Sequence, residues 1–271
     1  MINQKKVCIC ADDFGLSGSI SEGIIDLVSK KKIQAVSCIL NKKIFPKYYK
    51  KLKRYKNKVD IGLHINLTEN DKGINLKFDN LLNFFKTLFL IFFKKRLIVK
   101  EIKNQINEFE KYFKFKPKHI DGHHHIHQLP IINLLIINSI LDFKPFVRQS
   151  GDSISNILSR KICIIKSIII SFFSSKLIMI LKKNKIKYNK SFSGIYDFKK
   201  NLNYKFFFKN FLIQIEDNHL IMCHPAKKLK VENYNDTIFN SRLEEYSFYM
   251  SRKFNKIKKN KNFKFIQASK F

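Results

Sequence analysis

Five short stretches carry side chains able to do acid–base or metal chemistry. "KVCICADDFG" closes an apolar run with two adjacent carboxylates, Asp12 and Asp13. Two like charges at the exit of a buried strand call for a cation or a shared proton between them. The plainer reading is one Asp capping the next helix and one facing solvent. In "IGLHINLT", alternation puts Ile61, Leu63 and Ile65 on one face and Gly62, His64 and Asn66 on the other, so His64 faces either a site or water. "HIDGHHHIHQLP" holds five of the chain's eight histidines within nine residues, beside Asp121. Extended, this segment would put His119, Asp121, His123, His125 and His127 on one face; wound as a helix, it would pair His123 with His127. One carboxylate and two imidazoles with positions left open is the donor set of a catalytic rather than a closed structural metal site. "MCHPA" fixes His224 just before a proline. Arg148 ends "KPFVR", where it would hold a carboxylate, bind substrate or lie on the surface.

These residues need a scaffold that brings distant strand ends together. β-rich runs occur at 6–11, 34–40, 59–67, 118–127, 144–149, 219–226 and 263–268. Between them lie helical patterns. "ISEGIIDLVSKK" follows the first run, residues 100–113 align Ile102, Ile106, Phe109 and Phe113, residues 131–141 open after Pro130, and residues 241–254 precede the last run. This alternation predicts one α/β domain over residues 1–271 with about seven mainly parallel strands. A closed or nearly closed barrel fits better than a doubly wound sheet, because charged residues gather at the C-terminal ends of several strands, the rim where a barrel would hold its metal site. Neither GxGxxG nor GxxxxGK[ST] occurs, which leaves a Rossmann or P-loop nucleotide site unsupported.

The formal net charge is +32. Its basic residues are dispersed lysines, with arginine scarce and no aromatic-interleaved basic motif, so nucleic acid is not an expected partner. Weak attraction to anionic lipid stays open. Five cysteines without framework spacing, and no apolar leader near residue 1, suggest a cytoplasmic protein; Cys8 and Cys10 should share one strand face. The apolar stretches 81–93 and 162–181 read as buried, amphipathic or interfacial helices, because Lys86, Lys166 and Lys176 interrupt them.

Taken together, "ADDFGLS", "GLHINLT", "KPKHIDGHHHIHQLP", "VR" and "MCHPA" resemble the YdjC-like carbohydrate deacetylases, the group that includes chitooligosaccharide and hopanoid-biosynthesis-associated deacetylases. The resemblance runs from residue 6 to about residue 250, with "SRLEEYSFYMS" similar to the family's late helix. It implies a deformed (β/α) barrel and a hydrolase that removes acetyl from an N-acetylated sugar by attack of metal-activated water. It implies one divalent metal, Mg2+ or Zn2+, held by Asp13, His64 and His123, with Asp12 as general base, His224 as general acid and Arg148 orienting Asp12. Asp121 and His127 would support the site or meet substrate. Leu220 stands where the family often has an acidic residue, so no carboxylate is expected from that strand. Segments 70–100 and 155–200 fit the family least and would be lid or sugar-contacting insertions, with Phe192 and Gly194 as wall residues. Two other readings use the same residues: a metal-dependent amide or ester hydrolase on a non-sugar substrate, and a non-catalytic metal-binding protein at a membrane surface. A homodimer is left open.

Overall fold

A computed structural model describes residues 4–68, 74, 76, 81–198, 203–229 and 236–271. Along the chain run β1 (Lys5–Phe14), α1 (Gly18–Ser29), β2 (Ala35–Cys38), α2 (Phe45–Lys53), β3 (Asp60–Ile65), α3 (Leu81–Phe93), α4 (Lys95–Phe113), β4 (His119–Gly122), α5 (Ile132–Ile140) and β5 (Phe146–Val147). Then follow α6 (Ile154–Arg160), α7 (Ile164–Lys183), β6 (Ser191–Ser193), α8 (Tyr204–Phe211), β7 (His219–Cys223), α9 (Phe239–Met250), α10 (Arg252–Lys258) and β8 (Phe263–Phe265). The strands form one parallel sheet in the order β5-β4-β3-β2-β1-β7-β6, with β8 pairing the start of β1. All seven expected strands are present, and the architecture is the expected deformed barrel with flanking helices.

Alternation decides which side chains line the interior. Val7, Ile9 and Ala11 pack outward under the helices, whereas Cys8 and Cys10 point inward with Phe192, Leu220 and Met222. The α4 stripe of Ile102, Ile106, Phe109 and Phe113 is buried as its spacing predicts. At the base of the barrel, Ser269 donates from its backbone N and its Oγ to Asp60, both at 2.8 Å, and so plugs the lower mouth. Chemistry is left to the C-terminal rim.

The barrel is closed by side chains where strands do not pair. Between β5 and β6 a single backbone bond links Val147 N to Lys187 O at 2.9 Å. Beyond it, Gln149 N donates to Asn189 Oδ1 (3.0 Å), and Asn189 Nδ2 donates to Gln149 O (2.8 Å) and Ser191 O (3.0 Å). A buried amide thus mimics the missing ladder. β6 lies inside the segment read as an insertion, and it is a strand of the barrel itself. A three-residue run between Lys190 and Gly194 is too short to show a period of two. Two further expectations change. The strand read over 118–127 ends at Gly122, and the helix read over 241–254 breaks at Ser251, whose Oγ accepts Phe254 N and caps a new helix. Of the expected 70–100 insertion, residues 70–73, 75 and 77–80 lie outside the described residues, while 81–93 and 95–113 are helical.

Asn189→Ala leaves Gln149 N, Gln149 O and Ser191 O short of partners inside the protein. The expected loss is about 2–4 kcal/mol in urea unfolding. A change below about 0.5 kcal/mol would mean that the seam does not hold the barrel closed.

Candidate active site and metal centre

The adjacent carboxylates reach one cavity because β1 is bulged between them. Ala11 is level with Val36, but Phe14 is level with Cys38, so β1 holds one more residue than β2 across this stretch. The irregularity sits at Asp13, whose φ of 68° is left-handed. Asp tolerates that region better than most residues with a Cβ. Without the bulge, neighbouring residues would point to opposite faces of the strand. Gly15 completes the turn at φ +93°, where a Cβ would stand 2.3 Å from Ile39 O. Helix α1 is capped by Ser17 Oγ, which accepts Ile20 N at 3.2 Å, so neither Asp serves as its cap.

Each carboxylate has its own guanidinium. Arg148, fully buried after β5, donates through Nη1 to Asp12 Oδ1 (2.8 Å) and lies 3.1 Å from Asp121 Oδ2. Arg242, on α9, donates through Nη2 to Asp13 Oδ2 (2.8 Å) and sets Nε 2.6 Å from Asp236 Oδ2. Burial opposes ionisation of Asp13, yet Arg242, with His123 beside it, holds its carboxyl well below the usual range. Burial likewise opposes ionisation of Asp121, and Arg148 and His64 again outweigh it.

The remaining oxygen of Asp13 is where a cation fits. Oδ1 is buried without a well-formed hydrogen bond, 3.2 Å from His123 Nδ1 and 3.5 Å from His64 Nε2. Those separations suit donors about 3.3 Å apart, the edge of a tetrahedron with bonds of roughly 2.0–2.1 Å. His64 is set for the task by its other nitrogen, since Nδ1 lies 2.6 Å from Asp121 Oδ1. An Nδ1–H donated to that carboxylate leaves the Nε2 lone pair facing Asp13. Asp121 is fixed in turn by Ser37 Oγ at 2.6 Å. Around this point four carboxylates (Asp12, Asp13, Asp121, Asp236) face two guanidiniums, a balance that a divalent cation would complete. Two other groups, Asp12–His64–Asp121 and Cys10–His119–Asp121, also lie close enough to share an ion. In both, Asp121 is already bound to Arg148, Ser37 and His64, and the Cys10 thiol is pushed up by burial, so we favour Asp13–His64–His123.

Beyond Gly122 the histidine run is neither extended nor α-helical. It forms a 3-10 turn, His123–Gln128, kinked by left-handed His124 (φ 52°) and His125 (φ 59°). His119 and Asp121 therefore point into the barrel, His123 turns to Asp13, and His127 departs: its Nε2 donates to Arg148 O at 2.8 Å. His127 thus fixes the backbone that carries the guanidinium. Phe192 is buried under Arg148, with the guanidinium 5.9 Å from its ring, and meets His125 edge-on at 6.0 Å. Gly194 (φ +112°) packs against β7, where a Cβ would stand 2.3 Å from Met222 O. Leu220 faces the interior apolar cluster and brings no carboxylate. His224, half-buried at the end of β7, meets Phe198 edge-on at 5.3 Å. Its backbone N donates to Glu245 Oε2 at 2.5 Å.

Arg242, Asp236, Glu245 and Tyr196 were not singled out from the sequence. Tyr196 OH donates to Glu245 Oε1 at 2.6 Å, and burial pushes Glu245 up to about 8 against those donors. One signal was available. Arginine occurs only six times in the chain, and three of the six (Arg148, Arg160, Arg242) are buried on carboxylates.

Burial holds His224 down at about 4 and His127 at about 3, and also lowers His119, His125 and His219. Below about pH 6.5 the unfolded chain therefore binds protons that the native imidazoles refuse, so stability rises with pH up to that value. The urea midpoint of metal-free protein should climb steadily from about pH 4.5 to about 6.5. A flat or falling profile would mean that these imidazoles are protonated in the native state.

A sequence model of the YdjC-like protein family matches residues 6–260. The carbohydrate deacetylase of Danio rerio is 31% identical over 150 residues, 51% of this chain and 47% of that protein. The carbohydrate deacetylase of Clostridium beijerinckii is 30% identical over 125 residues, 44% and 49% of the two chains. The chain thus spans about half the length of the curated relatives it matches. Among solved structures, a proposed cellobiose-phosphate cleavage protein of Enterococcus faecalis V583 superposes with a TM-score of 0.71 over 99% of both chains. At 17% identity that likeness shows a shared fold. With the family match running from the first strand to beyond the last helix, the chain belongs to the YdjC-like protein family.

Proposed function

We propose that this protein is a metal-dependent carbohydrate deacetylase that hydrolyses the acetamide of an N-acetylated sugar. The observation that carries the reading is that Asp12 and Asp13 have different surroundings. Asp13 turns its Oδ1 to two imidazoles, 3.2 and 3.5 Å away; Asp12 is held by Arg148 with its second oxygen, Oδ2, 4.0 Å from His64 Nε2. The names of the relatives in Danio rerio and Clostridium beijerinckii, both carbohydrate deacetylases, support an acetylated carbohydrate as substrate.

Asp13, His64 and His123 would hold the divalent metal, Mg2+ or Zn2+. When bound, it would supply Lewis-acid polarisation and lower the pKa of water. Asp12, its Oδ1 fixed by Arg148, accepts the proton of the attacking water through Oδ2. Arg148 is thereby a positioning residue, as are Asp121 for His64 and His127 for Arg148. His224 is neutral in the free site, since burial holds it down to about 4. Asp13 and Asp12 pull in the other direction, and negative charge growing on the acetamide oxygen adds to them. As the C–N bond breaks, His224, protonated from solvent, gives its proton to the departing amine, which leaves poorly as an anion, and the proton held by Asp12 returns to solvent as acetate leaves. Glu245 sets the His224 backbone.

Acetate release from N-acetylglucosamine oligosaccharides, with metal-stripped protein resupplied with Zn2+ or Mg2+, tests the reading. Restored release that falls about 10²–10⁴-fold in Asp12→Asn is expected, with a loss of similar order in His224→Ala. Activity confined to acetyl esters, or unchanged in Asp12→Asn, would sink it.

A further inference from the structure

Helix α7 is apolar on the face that looks away from the barrel. Its inner face is firmly seated: Ser174 Oγ donates to Gln149 Oε1 (2.7 Å), and Ser171 Oγ accepts Asp152 N (3.0 Å). Gly151 packs so close that a Cβ would stand 2.9 Å from Ser171 Cα. Among the described residues α7 is the one helix long and apolar enough to cross a membrane, yet this seating makes it part of the barrel wall. On its outer face, positions 165, 169, 172, 176, 179 and 183 fall on one stripe by the helical repeat. Ile165, Ile169, Phe172 and Met179 are 77, 54, 59 and 70% exposed. Lys176 and Lys183 share the stripe, and the Lys176 ammonium rides 5.4 Å above the Phe172 ring. Neighbouring α6 adds exposed Ile154 and Leu158.

The N-terminal turn of α7 lies near the site. Lys166, in the first turn of α7, lies 6.0 Å from the ring of Phe198, and Phe198 meets His224. We propose that the outer face of α7, with α6, docks on an anionic lipid surface and holds the mouth of the site toward it, so that the sugar substrate is carried by a lipid anchor; the second half rests on the deacetylase reading. Charge selects the occupant. Apolar side chains interspersed with lysines whose stems can lie along the interface match an anionic bilayer. A second copy with the same net charge of +32 would be repelled from it.

The full chain is sedimented with phosphatidylcholine vesicles, with and without phosphatidylglycerol, at low and high salt, alongside the Ile169→Glu/Phe172→Glu variant. Both replaced side chains are exposed, and an unchanged Tm verifies the fold. The wild type should sediment with the anionic vesicles, more weakly at high salt, and the variant should partition at least about tenfold less. The variant should still release acetate from soluble oligosaccharides at the wild-type rate, and lose release from a lipid-linked N-acetylated sugar in those vesicles. No binding by the wild type, equal binding by the variant, or a wild-type dimer that the variant dissolves would overturn the docking face. Vesicle binding that depends on the stripe, with no acetate released from any sugar, would uphold the face and remove only the deacetylase reading.

Discussion

Two carboxylates joined by one peptide bond, both about 1% exposed, share a cavity only if opposite charge is brought to them. The upper half of this barrel is organised around that requirement. Arg148 arrives from the far edge of the sheet and spans Asp12 and Asp121. Arg242 arrives from a helix near the end of the chain and spans Asp13 and Asp236. Each guanidinium takes one oxygen of the pair, so the other two are turned toward the imidazoles. Removing either arginine would leave a buried charge uncompensated, a change costing several times more than the loss of a surface ion pair.

The sheet explains how such distant residues can meet. β1 lies near its centre, between β2 and β7, so Asp12 and Asp13 end the strand from which both halves of the rim are within reach. His64 and Asp121 come from β3 and β4 on one side, and His224 from β7 on the other. The Gln149–Asn189 seam then ties the two edges, which keeps Arg148 at its post. His127 adds a second tie by bonding the carbonyl of Arg148. Residues remote from any reacting atom thus govern the geometry of the carboxylates.

Much of this was legible in the sequence, and the illegible parts have common causes. Strands and helices with regular periods emerged clearly, as did the shared strand face of Cys8 and Cys10. Backbone at positive φ did not: nothing in "DDF" or "HHH" marks Asp13, His124 and His125 as left-handed, yet those residues re-aim the carboxylates and break the histidine run. Contacts across the whole chain were equally silent. Arg242 reaches Asp13 over 229 residues, and its helix carries no motif beyond a resemblance. Ser251 was readable as a cap in "MSRKF", and the helix on either side masked it. β6 was hidden by its length. For α7 the composition was plain, while the exposure of its apolar outer stripe depends on which face the barrel takes.

If the bulge in β1 gives the neighbouring aspartates different tasks, one holding a metal and one managing a proton, the two must differ in their effect on metal affinity. Calorimetric titration of metal-stripped protein with Zn2+ and Mg2+ tests it most directly, on the wild type, Asp13→Asn and Asp12→Asn. One ion per wild-type chain is expected, with at least about tenfold weaker binding in Asp13→Asn and near-native affinity in Asp12→Asn. Equal losses in both variants, or native affinity in Asp13→Asn, would contradict it.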